Sequence, residues 1–308
     1  MHEVEERESK PTYYLHFSRL GHVVAARTVL RRLGRLGWVE PSDAGDPELL
    51  EQRYRLALDA KPLDPESART LAGFLARKGK LDEAVVHYQR ALAGGAKDKI
   101  EIHTNLGTIF RLKGQLAEAA KHYRKAIELD PNRPGGHMNL GDVLMAQGQL
   151  DQAARSYEQV VAVAPDVPDA YAGWAAALSR QGRLRQAVEI LRRGLARQPN
   201  HARLVNDLAW TLATCPDATV RDGAEAVRLV ERLGPMTQID NATLLDTMAA
   251  AYAEAGQFDR AVSAAERAVS LAERSDRPET ARPLKDRLRR YRAGRAFHAT
   301  TRPTTGSG

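Results

Sequence analysis

The sequence predicts an all-α fold, an α–α superhelical solenoid built from repeated helix-turn-helix units. The main observation is a fixed period, since residues 100–131 recur as residues 134–165, with equivalent positions 34 residues apart. The repeats are also rich in alanine, the strongest helix former. No run of alternating β-branched residues predicts a strand. A chain of 308 residues with this pattern is expected to fold as a stack of similar units.

One repeat, residues 100–131, shows how each unit is specified. Its sequence, IEIHTNLGTIFRLKGQLAEAAKHYRKAIELDP, predicts a helix, a turn at Gly114, a second helix and a stop at Pro131. Glycine at position 107 permits a close approach of neighbouring backbone. Ala119 fits where a larger side chain would push the paired helices apart. These residues predict the architecture of the unit and do not by themselves indicate a function.

Composition and charge limit the class of protein. The net charge is +7 and the isoelectric point about 9.6, but most basic residues alternate with acidic ones inside the repeats, as on a solvated surface. The single cysteine, Cys215, excludes an internal disulfide and a cysteine-based zinc site. The sequence has neither a secretory signal nor the ~20 apolar residues of a membrane span. We expect a cytoplasmic protein, unless the sequence belongs to a longer, membrane-tethered chain.

The residues that precede the regular repeats predict a lead-in and a helical flank. Residues 1–11 are charged and are expected to be disordered. The flank, residues 12–64, should contain a basic amphipathic helix at about 12–36 and a second helix at about 47–60, with Pro47 in its first turn. The second helix resembles the latter half of a repeat whose first half has decayed.

The regular array is predicted at residues 65–275. Its six units lie near residues 65–99, 100–133, 134–167, 168–201, 202–241 and 242–275. The fifth unit is five residues too long, because Ala226 follows Ala187 by 39 residues instead of 34. Residues 276–293 are predicted to form a helix that caps the last apolar face, and residues 294–308 a disordered tail.

The repeat positions in residues 100–131 are occupied by Leu106, Gly107, Phe110, Gly114, Ala119, Tyr123, Ala126 and Pro131. This pattern resembles the tetratricopeptide repeat (TPR), and the resemblance covers about residues 65–275. The string LAWTLATCPD, followed by RDG and a closing RLRRYRAGR, resembles the C-terminal units of many bacterial TPR proteins. The resemblance implies a superhelix whose first helices line a concave groove, where a protein or peptide ligand binds.

The resemblance also implies which side chains face that groove. The candidates for contact with a ligand are Asn105, Thr108, Arg111, Met138, Asn139, Asp142, Met145, Asn206, Asp207 and Trp210. Asn105 and Asn139 occupy the same position in successive units, and their amides could bind an extended peptide backbone. This arrangement resembles the asparagine ladder of glycosyltransferase-linked TPR arrays. The alternative is a local hydrogen bond from each asparagine to the neighbouring helix.

Three of these candidates are large apolar groups. Met138, Met145 and Trp210 are expected to bury apolar side chains of a ligand, since methionine adapts to varied partners and tryptophan is often a hot spot. The alternative for Trp210 is packing under the insert at residues 215–223. The carboxylate clamp of chaperone-binding TPR domains is not matched, because glycine stands at two of its required positions.

We find no catalytic motif in the sequence, such as a glycine-rich phosphate loop, HExxH or GxSxG, and we predict no enzymatic activity, cofactor or metal. His103 and His137 share a repeat position and are expected to pack between helices. His87 and His122 share another and are expected to be solvated. The predicted function is non-enzymatic binding of a protein or peptide.

Two alternative functions remain open. The first is electrostatic binding of nucleic acid or an anionic surface through the arginine-rich residues 19–35 and 282–295. The second is that the chain is the recognition part of a larger glycosyltransferase or membrane complex.

Overall fold

The computed structural model describes residues 51, 52, 55, 64–234, 239–274 and 278–299. Every regular element in these residues is helical, which confirms the predicted all-α class. The predicted lead-in, the basic helix at about 12–36 and most of the helix at about 47–60 lie outside the described residues. Contacts divide the chain into two compact units, residues 1–97 and residues 98–308, which we describe separately.

The first unit contains one complete helical hairpin among its described residues, formed by α1 (Pro65–Arg77) and α2 (Leu81–Ala93). Asp64 caps α1, since its side chain accepts a hydrogen bond from the backbone N–H of Ser67 at 3.0 Å. The hairpin turns at Gly79, whose φ of +75° is left-handed. This turn is the one that the spacing of glycines predicts for every regular unit.

The second unit contains a stack of helices in which each helix packs against the next along the chain. The described helices are α3 (Lys99–Leu112), α4 (Leu116–Leu129), α5 (Pro134–Ala146), α6 (Leu150–Val163), α7 (Pro168–Arg180), α8 (Leu184–Arg197), α9 (Ala202–Thr214), α10 (Gly223–Glu231), α11 (Ala242–Glu254), α12 (Phe258–Glu273) and α13 (Ala281–Arg292). First helices α3, α5, α7, α9 and α11 therefore alternate with second helices α4, α6, α8, α10 and α12, as the repeat pattern predicts.

Glycine ends most of the first helices in the second unit. Gly114, Gly148, Gly182 and Gly256 have φ values of +73°, +74°, +79° and +75°. The N–H of the residue after each glycine donates to a carbonyl five residues earlier; for Gly114 this bond joins Gln115 to Phe110 at 2.8 Å. A side chain at these glycines would be strained in the left-handed region. The repeated turn therefore requires a glycine at this position of each unit.

Glycine also sets the distance between helices in the middle of the array. The buried ring of Tyr157, in α6, lies against Gly141 of α5 and Gly173 of α7. A Cβ atom on Gly141 would lie 2.8 Å from this ring, and one on Gly173 would lie 2.6 Å from it. Tyr123 has the same relation to Gly107, at 2.6 Å. The close approach expected at Gly107 is therefore present, and it recurs one repeat later at Gly141.

The additional residues of the fifth unit lie between α9 and α10, at residues 215–222. Asp222 caps α10 by accepting a hydrogen bond from the N–H of Glu225 at 2.8 Å. Helix α10 is only 9 residues long, and α9 packs directly against α11. A Cβ atom on Gly223 would lie 2.7 Å from the backbone at the end of α11. The contacts with α9 and with Gly223 of α10 enclose α11, in which residues 245–253 are all buried.

The C-terminal helix α13 packs against α12 and buries Leu284, Leu288 and Tyr291. Two residues beyond its last residue, Gly294 has a left-handed φ of +63°. The expectation that the tail is disordered from residue 294 onward needs correction for residues 294–299. These residues are not helical, but they contact α9 and α11 through specific side-chain and backbone groups that the composition of the tail does not reveal.

Candidate functional site

The solvent-facing side of α3, α5, α7 and α9, which we call the first-helix face, carries the predicted contact residues. Of the ten candidates, Asn105 is buried, at 8 % exposure, and the other nine are partly or fully exposed. Asn105 already has an interaction within the protein. Asn139, one repeat later, is half-buried and more open to a ligand. The two asparagines are therefore unequal, although they occupy the same repeat position.

Two buried tyrosines extend their hydroxyl groups to the first-helix face. The hydroxyl of Tyr157 donates to Asp142 Oδ1 at 2.7 Å. One repeat earlier, the hydroxyl of Tyr123 lies 3.1 Å from Thr108 Oγ1. The sequence indicated Tyr123 only as a position of the repeat pattern and did not indicate where its hydroxyl group lies. Their recurrence 15 positions after each candidate residue was the signal that could have revealed these contacts.

Charged side chains from α3, α7 and α9 act on the carboxylate of Asp142. Burial of the surroundings raises the pKa of Asp142, while the hydrogen bond from Tyr157 and the charges of Arg111 and Arg203 act to lower it. The side chain itself still reaches solvent, so protein surrounds it on several sides without covering it. The charges that lower this pKa come from Arg111 of α3 and Arg203 of α9, the helices on either side of α5 and α7 on this face.

A second group of charges joins α7 to α9. Arg203 donates to Asp169 Oδ1 at 2.8 Å and lies 3.8 Å from Asp207 Oδ2. Burial raises the pKa of Asp207. The amide nitrogen of Asn206 donates to Asp207 Oδ1 at 3.4 Å, and its carbonyl oxygen is buried without a hydrogen-bond partner among the described residues. Asp207 thus offers polar atoms on the part of the face formed by α9, whereas the Asn206 oxygen does not reach the surface.

The methionine candidates are half-buried beside the polar groups. Met138 and Met145 both pack against the core formed by α4, α5 and α6, with part of each side chain exposed. The carbonyl of Met145 accepts a hydrogen bond from Arg180 of α7 at 2.9 Å. Trp174 packs at the same core and was not among the candidates. Apolar surface therefore lies on both sides of Asp142 along α5.

Trp210 is half-buried, but residues from the C-terminus contact it. Its ring centroid lies 6.2 Å from that of Phe297, and the guanidinium of Arg287 is 5.5 Å from the Trp210 ring. The sequence left open that Trp210 packs under the insert at residues 215–223. The contacts to Phe297 and Arg287 come instead from α13 and the residues that follow it. The C-terminal residues therefore cover part of Trp210, which the sequence predicted to be available for contact with a ligand.

The histidines that were expected to be solvated are not. His87 is buried, at 9 % exposure, and His122 is half-buried. His122 stacks on Phe110, with ring centroids 5.3 Å apart, and its Nδ1 lies 3.0 Å from Nδ1 of His103. Burial, followed by the neighbouring charge of His103, lowers the pKa of His122 to about 4. The pair packs α3 against α4 and lies apart from the candidate contact residues.

Among the described residues, no three side chains of histidine, cysteine, aspartate or glutamate are grouped so that they could hold a metal ion. No helix in the same residues combines the length and the apolar character that crossing a membrane requires.

Comparison with known proteins identifies the repeats. Residues 107–148 match the family model described as TPR repeat, and residues 144–210 and 241–275 match models described as tetratricopeptide repeat. A comparison with curated proteins finds no matching sequence.

Several solved structures are similar to this chain, and the first of the three described next shows the same fold. A tetratricopeptide repeat protein from Parabacteroides merdae is 18 % identical, with a TM-score of 0.53 over 85 % of this chain and 98 % of that one. MamA is 21 % identical, with a TM-score of 0.48 over 54 % of this chain and 99 % of its own. YrrB, described as a TPR protein with an unusual peptide-binding site, is 15 % identical, with a TM-score of 0.46 over 76 % of this chain and 97 % of its own. The matched models show that residues 107–210 and 241–275 are built from tetratricopeptide repeats.

Proposed function

We propose that this chain is a non-enzymatic scaffold that binds a segment of another protein, in an extended conformation, on the first-helix face of α3, α5, α7 and α9. The observation that carries the proposal is a patch on α5. Met138, Asn139, Asp142 and Met145 lie at relative positions 0, 1, 4 and 7, which places them on one side of the helix, and all four are partly or fully exposed.

The chemistry of this patch suits a peptide backbone. The amide of Asn139 can both donate and accept, and the carboxylate of Asp142 accepts from backbone N–H groups. The hydrogen bond from Tyr157 fixes the position of the Asp142 carboxylate before a ligand arrives. A group that is held in place loses little conformational entropy on binding. The α5 patch therefore supports backbone recognition that does not depend strongly on ligand sequence.

The surroundings of the patch indicate which side chains a ligand would carry. Met138 and Met145 offer adaptable apolar surface on either side of Asp142. Arg111 and Arg203 add positive charge near the same carboxylate. We expect a ligand with apolar side chains next to its backbone contacts and with mixed rather than single-sign charge.

Site-specific photo-crosslinking tests the proposal. We would place p-benzoylphenylalanine at Met145, in the patch, and at Glu158, an exposed position of α6, in separate full-length chains. Crosslinking in an extract of the native cell, followed by peptide mapping, should give one partner segment at position 145 that is absent at position 158. The same segment should crosslink less when the isosteric change Asp142→Asn removes the carboxylate charge.

Two results would count against the proposal. Equal crosslinking of the same proteins at positions 145 and 158 would show that capture is unspecific. Unchanged crosslinking of a mapped segment in Asp142→Asn combined with Asn139→Ala would show that the patch does not hold the backbone. Thermal unfolding of each variant, followed by circular dichroism, separates lost binding from lost folding.

Electrostatic binding of nucleic acid receives little support from the described part of the basic C-terminus. Four of the seven cations in residues 282–295 pair with acidic side chains: Lys285 with Glu273, Arg287 with Asp246, Arg289 with Asp286 and Arg292 with Glu266. Residues 19–35, the other basic segment, lie outside the described residues. Membership of a larger glycosyltransferase or membrane complex stays a prediction.

A further inference from the structure

Residues 295–299, which we call the C-terminal segment, leave the repeat pattern immediately after α13. The helix ends with the turn used by the repeats, since Gly294 is left-handed and the N–H of Arg295 donates to the carbonyl of Arg290 at 3.0 Å. In the repeats a second helix follows this turn. Here the chain stays non-helical and passes the C-terminal ends of α11 and α9.

The C-terminal segment is held by a backbone and a side-chain hydrogen bond. The N–H of Ala299 donates to the carbonyl of Thr214 at 2.7 Å. Thr214 is the last residue of α9, where carbonyl groups lack a partner within the helix. His298 Nε2 donates to Glu254 Oε2 at 2.7 Å, and the other oxygen of Glu254 accepts from Arg221 of the insert at 2.8 Å. The insert thus fixes one of the two acceptors.

An aromatic side chain anchors the middle of the segment. Phe297 packs against the ring of Trp210, and the Arg287 guanidinium lies 5.3 Å from the centroid of the Phe297 ring. The position of Arg287 is set by two hydrogen bonds of 2.7 Å to Asp246. Ala296 and Phe297 both pack, partly buried, at the edge of the core. The aromatic anchor therefore contacts a site built from α9 and α13, in which Asp246 of α11 holds the guanidinium.

We propose that the C-terminal segment is an intramolecular ligand for this site, and that a partner segment with an aromatic side chain must displace it to bind there. Backbone hydrogen bonding combined with an aromatic anchor is a common mode of peptide recognition. This inference rests on the proposed function, which identifies the first-helix face as the binding surface. It adds that the C-terminal segment of the same chain occupies the Trp210 end of that face.

Covalent attachment explains how so small a contact stays in place. A short tether gives a segment an effective concentration of about millimolar at its own site, so a weak intrinsic affinity is enough for occupancy. A competing segment must exceed that effective concentration or bind more tightly. Removing the aromatic anchor should therefore expose the site without disturbing α13, whose packing depends on Leu284, Leu288 and Tyr291.

The first test measures occupancy of the site in the full-length chain. Fluorine NMR of protein labelled with 5-fluorotryptophan gives a resonance for Trp210, assigned with Trp210→Phe. Phe297→Ala should shift this resonance, because the ring contact is lost. Arg295→Ala, a change at an exposed neighbour in the same segment, should leave it in place. An unmoved Trp210 resonance in Phe297→Ala would overturn the proposal.

The second test supplies the segment in trans. A synthetic peptide with the sequence of residues 294–300 should bind the Phe297→Ala chain and return the Trp210 resonance towards its original position. The unaltered chain should bind the same peptide at least roughly tenfold more weakly, because its own segment competes. Equal binding to the two chains, or equal binding of a peptide with alanine in place of phenylalanine, would refute an intramolecular ligand.

The two proposals fail in distinguishable ways. Crosslinking at Met145 in the α5 patch reports the proposed function, and the Trp210 resonance reports the self-occupied site. If the patch captures a partner while the peptide of residues 294–300 does not bind Phe297→Ala, only the intramolecular ligand is refuted. If the peptide binds but the α5 patch captures no partner, the intramolecular ligand is supported and only the proposed function is refuted. If both proposals are correct, Phe297→Ala should capture more of the partner segment than the unaltered chain does.

Discussion

Arg287 and Asp246 form a buried, bidentate ion pair that joins the C-terminal helix to the last repeat. Two nitrogens of Arg287 each donate to one carboxylate oxygen of Asp246 at 2.7 Å, and the side chains are 14 % and 10 % exposed. Burial raises the pKa of Asp246, and Arg287 acts in the opposite direction. The pair also positions the guanidinium that contacts Trp210 and Phe297, so it links the stability of the cap to the candidate site.

Replacing Arg287 should strongly destabilise the C-terminal repeats. Arg287→Met leaves the Asp246 carboxylate buried without its counter-charge, and we expect the free energy of unfolding to fall by about 3 kcal/mol. Arg290→Ala, at an exposed position of the same helix, should change it by less than about 0.5 kcal/mol. Urea denaturation followed by circular dichroism measures both changes.

The pH dependence of the Arg287→Met variant provides the control. A carboxyl group whose pKa is raised in the folded state binds its proton more tightly there than in the unfolded chain. The stability of the variant should therefore be greatest below the ordinary pKa of aspartate, about 4, and should decrease as the pH rises. Adding Asp246→Asn should remove this pH dependence. If the stability of Arg287→Met does not change with pH, Asp246 is not a buried, unpaired carboxyl group in that variant.

Gly141 should tolerate no larger residue, whereas Gly135 in the same helix should. Gly141→Ala places a Cβ atom 2.8 Å from the ring of Tyr157, and we expect a loss of about 1–3 kcal/mol from overpacking. No atom lies within 4 Å of a Cβ atom built at Gly135, so Gly135→Ala should be neutral or stabilise α5 by up to about 1 kcal/mol. Chemical denaturation compares the two variants.

The ring of Tyr157 offers an internal check on this interpretation. Tyr157→Leu removes the atoms that a Cβ on Gly141 would meet. The additional cost of Gly141→Ala should then become smaller in the Tyr157→Leu chain, as for any two residues in direct contact. Additive losses would place the cause of the glycine requirement elsewhere in α5.

The parts of the fold that repeat were predictable from the sequence. Gly114 and its equivalents indicate left-handed turns, and Gly107 with Gly141 indicates close helix packing, because each depends on a local physical requirement that recurs with the period. The hydroxyl contact of Tyr157 with Asp142 was also within reach, since Tyr157 follows the candidate Asp142 by 15 positions, as Tyr123 follows Thr108. It was missed because the repeat pattern includes the tyrosine but does not indicate the partner of its hydroxyl group.

The parts that do not repeat were not predictable. Phe297 contacts Trp210 across 87 positions of sequence, and nothing periodic connects the two residues. The residues around Phe297 have neither a helical pattern nor a glycine signal that would indicate where the chain goes after Gly294. Arg221 of the insert likewise reaches Glu254 in the following repeat. Contacts of this kind require the folded arrangement of several helices.

The histidine pair of α3 and α4 should make folding sensitive to acid. The pKa of His122 is lowered to about 4 by burial and by the nearby charge of His103. The folded state therefore binds fewer protons than the unfolded chain, and stability present above the ordinary pKa of histidine, about 6.5, should be lost as the pH falls towards 4. His122→Phe retains a ring against Phe110 and should reduce this loss, measured by urea denaturation at each pH.

The charged groups near the pair supply its control. Lys121, Glu118 and Lys125 act on the two histidines from α4. Lys121→Gln changes one of these exposed charges but leaves both rings in place, and its stability should show the same loss between pH 6.5 and 4 as the unaltered chain. If His122→Phe loses as much stability as Lys121→Gln over this range, the histidine pair is not the acid-sensitive element.

Tyr157→Phe should weaken ligand capture by the α5 patch while the repeat fold persists. The change removes the donor that holds the Asp142 carboxylate at 2.7 Å, but it keeps the ring that packs against Gly141. We expect about 1 kcal/mol of lost stability and a severalfold decrease in crosslinking of a partner segment at Met145, because Asp142 is no longer held before binding.

Tyr123→Phe is the matched comparison one repeat earlier. Its hydroxyl contacts Thr108, whose own hydroxyl also donates to the carbonyl of Thr104 at 3.0 Å, so Thr108 keeps a partner in the variant. Crosslinking at Met145 should therefore change much less in Tyr123→Phe than in Tyr157→Phe. Equal decreases would assign the effect to general loosening of the helix pairs. A decrease confined to Tyr157→Phe would identify the fixed carboxylate of Asp142 as the group that a ligand needs.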